Sequence, residues 1–175
     1  MINEDTLFIE LKDLLIFNQL SFIEIKKIAE ICEVIEYRDA DLIVTQDTES
    51  PYLYGILEGD VSIWVRGQDG ENICVSKIHK GDIFGEAAIF LDMKRTASVV
   101  ANGRVRIVSI YREKLFNYLN KNPRVGMKIY LYIIMSLLNK LKNANAELTL
   151  EKESTVSDKD LEKLKEFFPN PWINE

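Results

Sequence analysis

The stretch from Gly81 to Val100 contains the side chains of this sequence whose types and spacing suit chemistry. It combines a glycine-rich turn, one carboxylate at Glu86, a run of small residues and Arg95 at the start of a β-branched strand. A guanidinium can bind two phosphate oxygens at once, and backbone N–H groups at the start of a helical turn have no partner within that turn. We therefore predict a buried anion site, with Arg95 and the amides of Ala87 and Ala88 as donors.

Glu86 narrows the class of ligand, because a carboxylate beside a phosphate costs Coulomb energy. An ionised carboxylate only accepts hydrogen bonds, so we expect a ligand that also carries a donor, and a ribose hydroxyl is a good candidate. Thr96 adds a hydroxyl directly after Arg95. A phosphate and a sugar hydroxyl together describe a compact nucleotide. A mono-anionic cyclic phosphate suits a site with one cation better than a dianionic terminal phosphate does.

The composition argues against several other classes of function. The 175 residues are 47% hydrophobic, enough for a domain with its own core, and a net charge of −6 with scattered lysines and arginines argues against direct nucleic-acid binding. His79 is the single histidine, and Cys32 and Cys74 stand apart. We therefore expect no metal site and no cofactor of the haem or iron–sulfur type. We expect the two cysteines to be buried free thiols. We also expect no catalytic residues and no enzyme activity, since no nucleophile has a base nearby.

The hydropathy of the chain bears on its location. The first residues lack the charged start, apolar core and small-residue cleavage site of a secretory leader. No apolar run approaches the roughly 20 residues of a membrane-spanning helix. We expect a cytoplasmic chain without membrane association.

Apolar spacing predicts two helices at the start of the chain. Residues 5–17 carry leucine and phenylalanine at near-helical intervals. Ser21, with Glu24 three residues later, is a capping-box signature that predicts a second helix over about 22–32.

From Val34 onward the apolar residues follow a period of two. The segments are short and rich in β-branched or aromatic residues, and clusters of Asp, Gly, Pro and Ser separate them. Seven or eight strands at such close spacing predict a barrel or a double-sheet roll. The predicted segments are 34–38, 42–46, 52–57, 60–66, 72–78, 96–101 and 103–110.

The helical period returns after Ile110. We predict a short helix over 112–119 and a long helix over about 124–148, with Pro123 near its first turn. Residues 151–160 are polar and are typical of a linker. The tail that follows is too apolar to be simply disordered, and we favour docking of this tail over a role in binding a partner. Its apolar residues are Leu161, Leu164, Phe167, Phe168, Trp172 and Ile173.

The sequence Phe84-Gly85-Glu86-Ala87-Ala88-Ile89, followed by Arg95-Thr96-Ala97-Ser98-Val99, resembles the phosphate-binding cassette of the cyclic nucleotide-binding domain family. The resemblance extends over most of residues 14–149. It implies an α+β, mainly β fold: a double-stranded β-helix or jelly-roll-like barrel flanked by N-terminal helices and a long C-terminal helix. We expect one such domain over residues 1–150, with helices over about 5–32, the β-roll over about 33–111 and C-terminal helices over about 112–149. The linker and tail would occupy 151–175.

The resemblance also implies roles for single residues. In the family the glutamate takes the ribose 2′-hydroxyl and the arginine takes the cyclic phosphate, which assigns those roles to Glu86 and Arg95. The residue after the arginine also meets the phosphate when it is Thr or Ser, and Thr is associated with tolerance of guanine, so both cAMP and cGMP stay open. The implied ligand-binding set is Gly85, Glu86, Ala87, Ala88, Arg95, Thr96 and Ala97.

Two features depart from the pattern of the family. Its early turns usually contain glycine, whereas this chain has Arg-Asp-Ala-Asp at 38–41 and Gln-Asp at 46–47. Family transcription factors carry a helix-turn-helix domain after the long helix, and the roughly 25 residues left here are too few for that module. We therefore expect a receptor that acts through a separate effector protein, not a self-sufficient transcription factor.

The long helix has two interpretations. It can pack on its own β-roll, or it can form a homodimer through a seam of side chains three and four residues apart. We favour the dimer, because only a narrow apolar seam continues after Asn139. The predicted seam is Met127, Tyr130, Ile134, Leu137, Leu141, Ala144 and Leu148.

Three functions are therefore compared. The first is a cytoplasmic, non-enzymatic receptor for cAMP or cGMP that signals occupancy through its long helix. The second is a structural or dimerisation module whose roll is a non-binding relic. The third, a catalytic β-barrel, has the least support, because the chain has one histidine and no cluster of metal ligands.

Overall fold

The computed structural model of the chain describes residues 4–67, 69–91 and 93–155. A 3₁₀ turn at Leu15–Phe17 joins the first two helices. The helices are α1 (Glu4–Asp13), α2 (Phe22–Ala29), α3 (Glu86–Leu91), α4 (Arg112–Lys121) and α5 (Pro123–Thr155). The strands are β1 (Cys32–Tyr37), β2 (Leu42–Val44), β3 (Tyr52–Arg66), β4 (Asn72–Ile78), β5 (Ile83–Phe84) and β6 (Ser98–Tyr111).

Helix α2 begins at the capping box that the sequence predicts. The Ser21 N–H donates to Glu24 Oε2 at 2.6 Å, and Ser21 Oγ accepts from the Glu24 N–H at 3.4 Å. Ile25 and Ile28 then bury one face of the helix against the core. The predicted start of α2 is confirmed, since the sequence already contains both partners of this local bond pair.

The strands form one antiparallel sheet with the path β1-β6-β3-β4. Strand β2 pairs with β6, and β5 pairs with β3. The two long strands absorb four of the predicted segments, because the β3–β6 register shifts at Glu58 and lets the chain bend without ending the strand. The mainly β fold with flanking helices is confirmed. The predicted barrel is corrected to an open sheet, whose path ends at β1 and β4.

The buried apolar residues form two clusters. The larger contains side chains of α1, α2, α4 and the start of α5, packed on the outer face of the strands. The smaller fills the inside of the roll and includes Tyr54, Ile56, Phe84 and Ile107. The predicted anion site therefore lies beside the smaller cluster, because Tyr54 belongs to this cluster and also borders Arg95.

The two early turns contain no glycine, and in each turn a non-glycine residue has a left-handed backbone conformation. Ala40 has φ of 64° and Asp47 has φ of 65°. Hydrogen bonds hold both turns: the Ala40 N–H donates to the Ala101 carbonyl at 3.0 Å, and the Asp47 N–H donates to the Arg95 carbonyl at 2.8 Å. Aspartate tolerates this region of φ, whereas alanine is strained there.

We expect Ala40→Gly to raise the free energy of unfolding by about 1 kcal/mol, because glycine relieves the left-handed strain at this exposed turn. Urea unfolding measures the change. The matched control is Ala101→Gly, at the other end of the same hydrogen bond, where the backbone is a regular strand and glycine should lower stability. Equal losses in both variants would contradict a strained turn.

Helix α5 extends beyond the predicted end. It continues to Thr155, so residues 151–155 of the predicted linker are helical. Residues 156–175, including the apolar tail, lie outside the described residues. The chain divides into two compact units, Met1–Ile133 and Ile134–Glu175. The first contains the roll and the candidate site.

Candidate functional site

Gly85 forms the turn between β5 and α3 and allows Arg95 to approach the backbone. Its φ is 85°, a backbone conformation that residues with a side chain rarely adopt. A Cβ at this position would collide with Nη1 of Arg95 and would lie 3.1 Å from the Tyr52 carbonyl oxygen. Glycine is therefore favoured at position 85 for two physical reasons: the positive φ of the turn and the close contact with the guanidinium.

Arg95 is buried, with 4% of its surface exposed, and its own chain fixes its guanidinium. Nη2 donates to the carbonyl oxygens of Ser50 at 2.8 Å and Tyr52 at 2.6 Å, and to Ser50 Oγ at 3.0 Å. Nη1 donates to the Gly85 carbonyl at 3.0 Å. These acceptors are neutral, so they orient the guanidinium without cancelling its charge.

An aromatic ring borders the same guanidinium. Cζ of Arg95 lies 5.6 Å from the centre of the Tyr54 ring, within the range of a cation–π contact. The Tyr54 ring is stacked on Phe84, with centroids 4.9 Å apart and planes at 15°. Phe84 directly precedes Gly85, so this stack connects β3 to the start of the predicted cassette.

The Nε–H donor of Arg95 is left for a ligand. Nε is buried and has no hydrogen-bond partner among the described residues. Burial lowers the pKa of Arg95, while the nearby Tyr54 and Glu86 act in the opposite direction. A buried cation with an unused donor is an arrangement that an anionic group would complete.

Glu86 lies close enough to Arg95 for their charges to interact. It is the first residue of α3 and is 4% exposed. It also acts on Tyr132 of α5: burial, then Asp82 and Glu86, raise the pKa of the Tyr132 hydroxyl to about 12. Glu86 is thus a buried carboxylate whose charge acts both on the cassette cation and on a tyrosine of the long helix.

The other predicted residues lie around this pair. Ala87 and Ala88 are in the first turn of α3, and Ala87 is half-buried. Thr96 is exposed and Ala97 is half-buried, in the segment between Arg95 and β6. The structure brings together Gly85, Glu86 and Arg95, while Thr96 and Ala97 follow Arg95 along the chain.

Several residues that act on Arg95 or Glu86 are absent from the predicted set. Ser50 and Tyr52 contribute mainly through their carbonyl oxygens, and every residue has a carbonyl oxygen, so their side-chain types gave no signal. Tyr54 and Tyr132 are aromatic residues whose proximity depends on strand register and helix packing. No group of three or more potential metal ligands occurs among the described side chains.

Helix α3 also contacts the two helices that follow the roll. The Phe90 ring packs edge-on against Phe116 of α4, at 5.5 Å between centroids. It packs in the same way against Tyr130 of α5, at 5.9 Å. A displacement of α3 would therefore change the packing of α4 and of the start of α5 directly.

The fold and the site define a β-roll domain with a buried arginine in a short strand–turn–helix cassette. The family model of the cyclic nucleotide-binding domain matches residues 34–122, more than half of the chain. This chain belongs to the cyclic nucleotide-binding domain family.

Two curated relatives illustrate the match. The chain is 33% identical to the cAMP-dependent protein kinase regulatory subunit of Mycosarcoma maydis over 105 residues, which is 57% of this chain and 20% of that protein. It is 24% identical to the cAMP-activated global transcriptional regulator CRP of Pasteurella multocida over 119 residues, 67% of this chain and 55% of the regulator. The chain therefore spans only part of the length of these relatives.

Solved structures share the fold. A cyclic nucleotide-binding domain from Methylobacillus flagellatus superposes with a TM-score of 0.77 at 21% identity, covering 88% of this chain and 87% of that one. The regulatory subunit of a cAMP-independent protein kinase A from Trypanosoma brucei gives a TM-score of 0.67 at 25% identity, covering 85% of this chain and 51% of that one. Within the part of the chain that is described, no helix has the length and hydropathy that crossing a membrane requires.

Proposed function

We propose that this chain is a non-enzymatic regulatory receptor that binds cAMP or cGMP in the cassette from Gly85 to Ala97. The observation that carries the proposal is Arg95, a buried cation oriented by neutral acceptors that has an unpaired Nε–H. Family membership supports the class of ligand. We place the receptor in the cytoplasm as part of the same proposal.

Each proposed ligand contact follows from the chemistry of the residue. Arg95 supplies the positive charge for the cyclic phosphate, and the amides of Ala87, Ala88 and Ala97 supply neutral donors. Glu86 accepts the ribose 2′-hydroxyl, which only a ribonucleotide offers. Thr96 is exposed and adds a hydroxyl for the phosphate or for guanine.

We propose that α5 reports occupancy to a separate effector protein. The packing of Phe90 on Phe116 and Tyr130 supports this route, because these rings join the cassette helix to α4 and α5. Ligand must favour one arrangement of α3 and α5 over another for a signal to pass. The signal would then be a shift in the population of two arrangements.

A panel of nucleotides tests the ligand class by thermal shift. A ligand that binds only the native chain at one hundred times its dissociation constant stabilises it by about 2.7 kcal/mol. For a chain of this size that corresponds to a rise in Tm of about 5–10 °C. We expect the rise with cAMP or cGMP and a smaller one with the linear 5′-monophosphates. No shift with either cyclic nucleotide would reject the proposal.

A non-binding structural or dimerisation module is the second candidate. It is favoured by the four hydrogen bonds of Arg95, which hold the guanidinium without any ligand. The relative described as cAMP-independent shows that a similar fold occurs in a protein with that property. Calorimetry with wild-type protein separates the two candidates, since a relic would release no heat of binding.

We propose a homodimer through an apolar stripe of α5, defined by Ile134, Leu138, Leu141 and Leu148. Their exposed fractions are 52%, 54%, 58% and 52%. Their spacing of four, three and seven residues is a heptad pattern. Asn145 occupies the remaining core position of this stripe, where a single asparagine can fix the register of a two-stranded coiled coil.

The proposed stripe differs from the predicted seam at three positions: the seam has Tyr130, Leu137 and Ala144 where the stripe and its continuation have Leu131, Leu138 and Asn145. Tyr130 is half-buried and packs against Phe90 of its own chain, so its ring contacts the cassette helix α3. Leu137 is 37% exposed, less than the neighbouring Leu138 at 54%. Met127 and Leu131 are exposed at 66% and 57% and lie at the same sequence spacing as the stripe.

We expect Leu141→Glu to convert the dimer into a monomer, because it places a charge in the apolar stripe. Light scattering after gel filtration gives the mass of each species. The matched control is Asn143→Glu, also an exposed site but on the opposite side of the helix, which should leave the dimer intact. A wild-type chain that is monomeric at every concentration tested would contradict the proposed interface.

A further inference from the structure

Ser50 contacts Arg95 through two different groups. Its carbonyl oxygen accepts from Nη2 at 2.8 Å, and its hydroxyl accepts from the same nitrogen at 3.0 Å. The hydroxyl also lies 3.3 Å from the Tyr54 hydroxyl. Ser50 therefore links the guanidinium to the phenol of Tyr54.

Tyr54 constrains the guanidinium in a different way. Its side chain is buried, with 7% exposed, and its ring centre is 5.6 Å from Cζ of Arg95. The ring is stacked on Phe84, and the backbones of Tyr54 and Phe84 pair between β3 and β5. A ring held by the sheet on one side thus limits the tilt of the guanidinium.

The main chain of Arg95 is fixed to the same region. The Arg95 N–H donates to the Thr48 carbonyl at 2.9 Å, and the Arg95 carbonyl accepts from the Asp47 N–H at 2.8 Å. With the backbone tied to the turn at 47–48, the orientation of the side chain depends on its own contacts. Among the described residues, those contacts include the three carbonyls, the Ser50 hydroxyl and the Tyr54 ring.

We propose that Ser50 and Tyr54 are positioning residues that hold the guanidinium of Arg95 in the orientation that leaves Nε–H for the phosphate of a cyclic nucleotide. This inference rests on the proposed function, because it concerns the same site. It assigns the precise placement of the cation to a serine hydroxyl and a tyrosine ring, neither of which needs to touch the ligand. The orientation is set before the ligand binds, which reduces the entropy cost of binding.

The affinity for cyclic nucleotide is the first readout. We expect Tyr54→Leu to weaken binding about tenfold, since it removes the aromatic face beside a desolvated cation. Tyr54→Phe keeps the ring and should retain most of the affinity. Ser50→Ala should weaken binding about threefold, the effect of one neutral hydrogen bond.

The Nε–H resonance of Arg95 is the second readout and needs no ligand. The signal is assigned by its absence from the spectrum of Arg95→Lys. In wild type and Tyr54→Phe we expect slow exchange with solvent, because the group is buried and fixed. In Tyr54→Leu and Ser50→Ala we expect faster exchange or a shifted signal.

Ile63→Ala is the matched control, because Ile63 packs against the same interior cluster and has no contact with Ser50, Tyr54 or Arg95 among those described. It should lower stability while leaving the Nε–H signal and the affinity unchanged. If Tyr54→Leu does not fold, Ser50→Ala is the test variant, and a wild-type affinity together with a wild-type Nε–H signal in Ser50→Ala then overturns the proposal.

The outcomes separate the two claims. Positioning is overturned if wild type binds and both Ser50→Ala and Tyr54→Leu keep the wild-type affinity and Nε–H signal. If wild type binds no cyclic nucleotide but the signal changes as expected, Ser50 and Tyr54 do orient Arg95, and the proposed function fails instead.

Discussion

Replacing Arg95 with alanine is expected to weaken cyclic nucleotide binding by about 3–5 kcal/mol, the effect of breaking a buried charge pair. The wild-type guanidinium is buried and already oriented, so its charge acts on the phosphate with little competition from water. Isothermal titration calorimetry of the two proteins measures the difference. Equal affinities of wild type and Arg95→Ala for cAMP and cGMP would reject the site.

The variant also removes the donor for three carbonyl oxygens, so its fold must be checked. Circular dichroism and Tm establish that the roll is retained. Arg95→Lys is a second variant with the charge kept, and it should also bind poorly, because an ammonium cannot reproduce a planar guanidinium with four hydrogen bonds. Arg104→Ala is the matched control: it removes an exposed arginine from β6 and should keep the affinity.

Glu86→Gln is expected to weaken binding of a cyclic ribonucleotide by about 1.5–3 kcal/mol, the strength of a hydrogen bond to a charged acceptor. The reason is the proposed bond from the ribose 2′-hydroxyl to the buried carboxylate. The loss should be smaller than that in Arg95→Ala, since no phosphate contact is removed. Calorimetry with the same two nucleotides measures it.

Nucleotides without the 2′-hydroxyl isolate this contact from the general effect of removing a charge. Wild type should bind the 2′-deoxy form more weakly than the ribo form, and Glu86→Gln should discriminate much less between them. Glu113→Gln is the control, because Glu113 is also an acid in the first turn of a helix but is exposed. An unchanged preference for the ribo form in Glu86→Gln would contradict the assigned role.

Features that depend on neighbours in the sequence could be predicted. The capping box of α2 involves residues three apart, and its two bonds are present. Gly85, Glu86 and Arg95 were also predicted together, because the turn, the carboxylate and the cation lie within one short stretch. In the structure these three residues form the centre of the candidate site.

Features that depend on distant contacts could not be predicted. Two partners of Arg95, Tyr52 and Ser50, are 43 and 45 residues away in sequence, and their proximity follows from the pairing of β3 with β5 and β6. Carbonyl oxygens carry no residue-type signal, so Ser50 and Tyr52 gave no indication of their role. The open edges of the sheet also depend on long-range pairing, which the strand pattern does not fix.

The long helix has one feature that could be predicted from sequence neighbours and one that depends on distant contacts. Its existence follows from local spacing, and α5 is present from Pro123 to Thr155. Its exposed side depends on which residues pack on the cassette, and the Phe90 contact removes Tyr130 from the exposed seam. The turn at Ala40 is similar, since nothing in an alanine predicts a φ of 64°.

The most direct test of the central claim is calorimetric titration of the wild-type chain with cAMP, cGMP and their linear 5′-monophosphates. We predict saturable binding of at least one cyclic nucleotide with one site per chain, and weaker binding of the corresponding linear form. The result that would contradict the account is the absence of binding to both cyclic nucleotides, or equal binding of cyclic and linear forms.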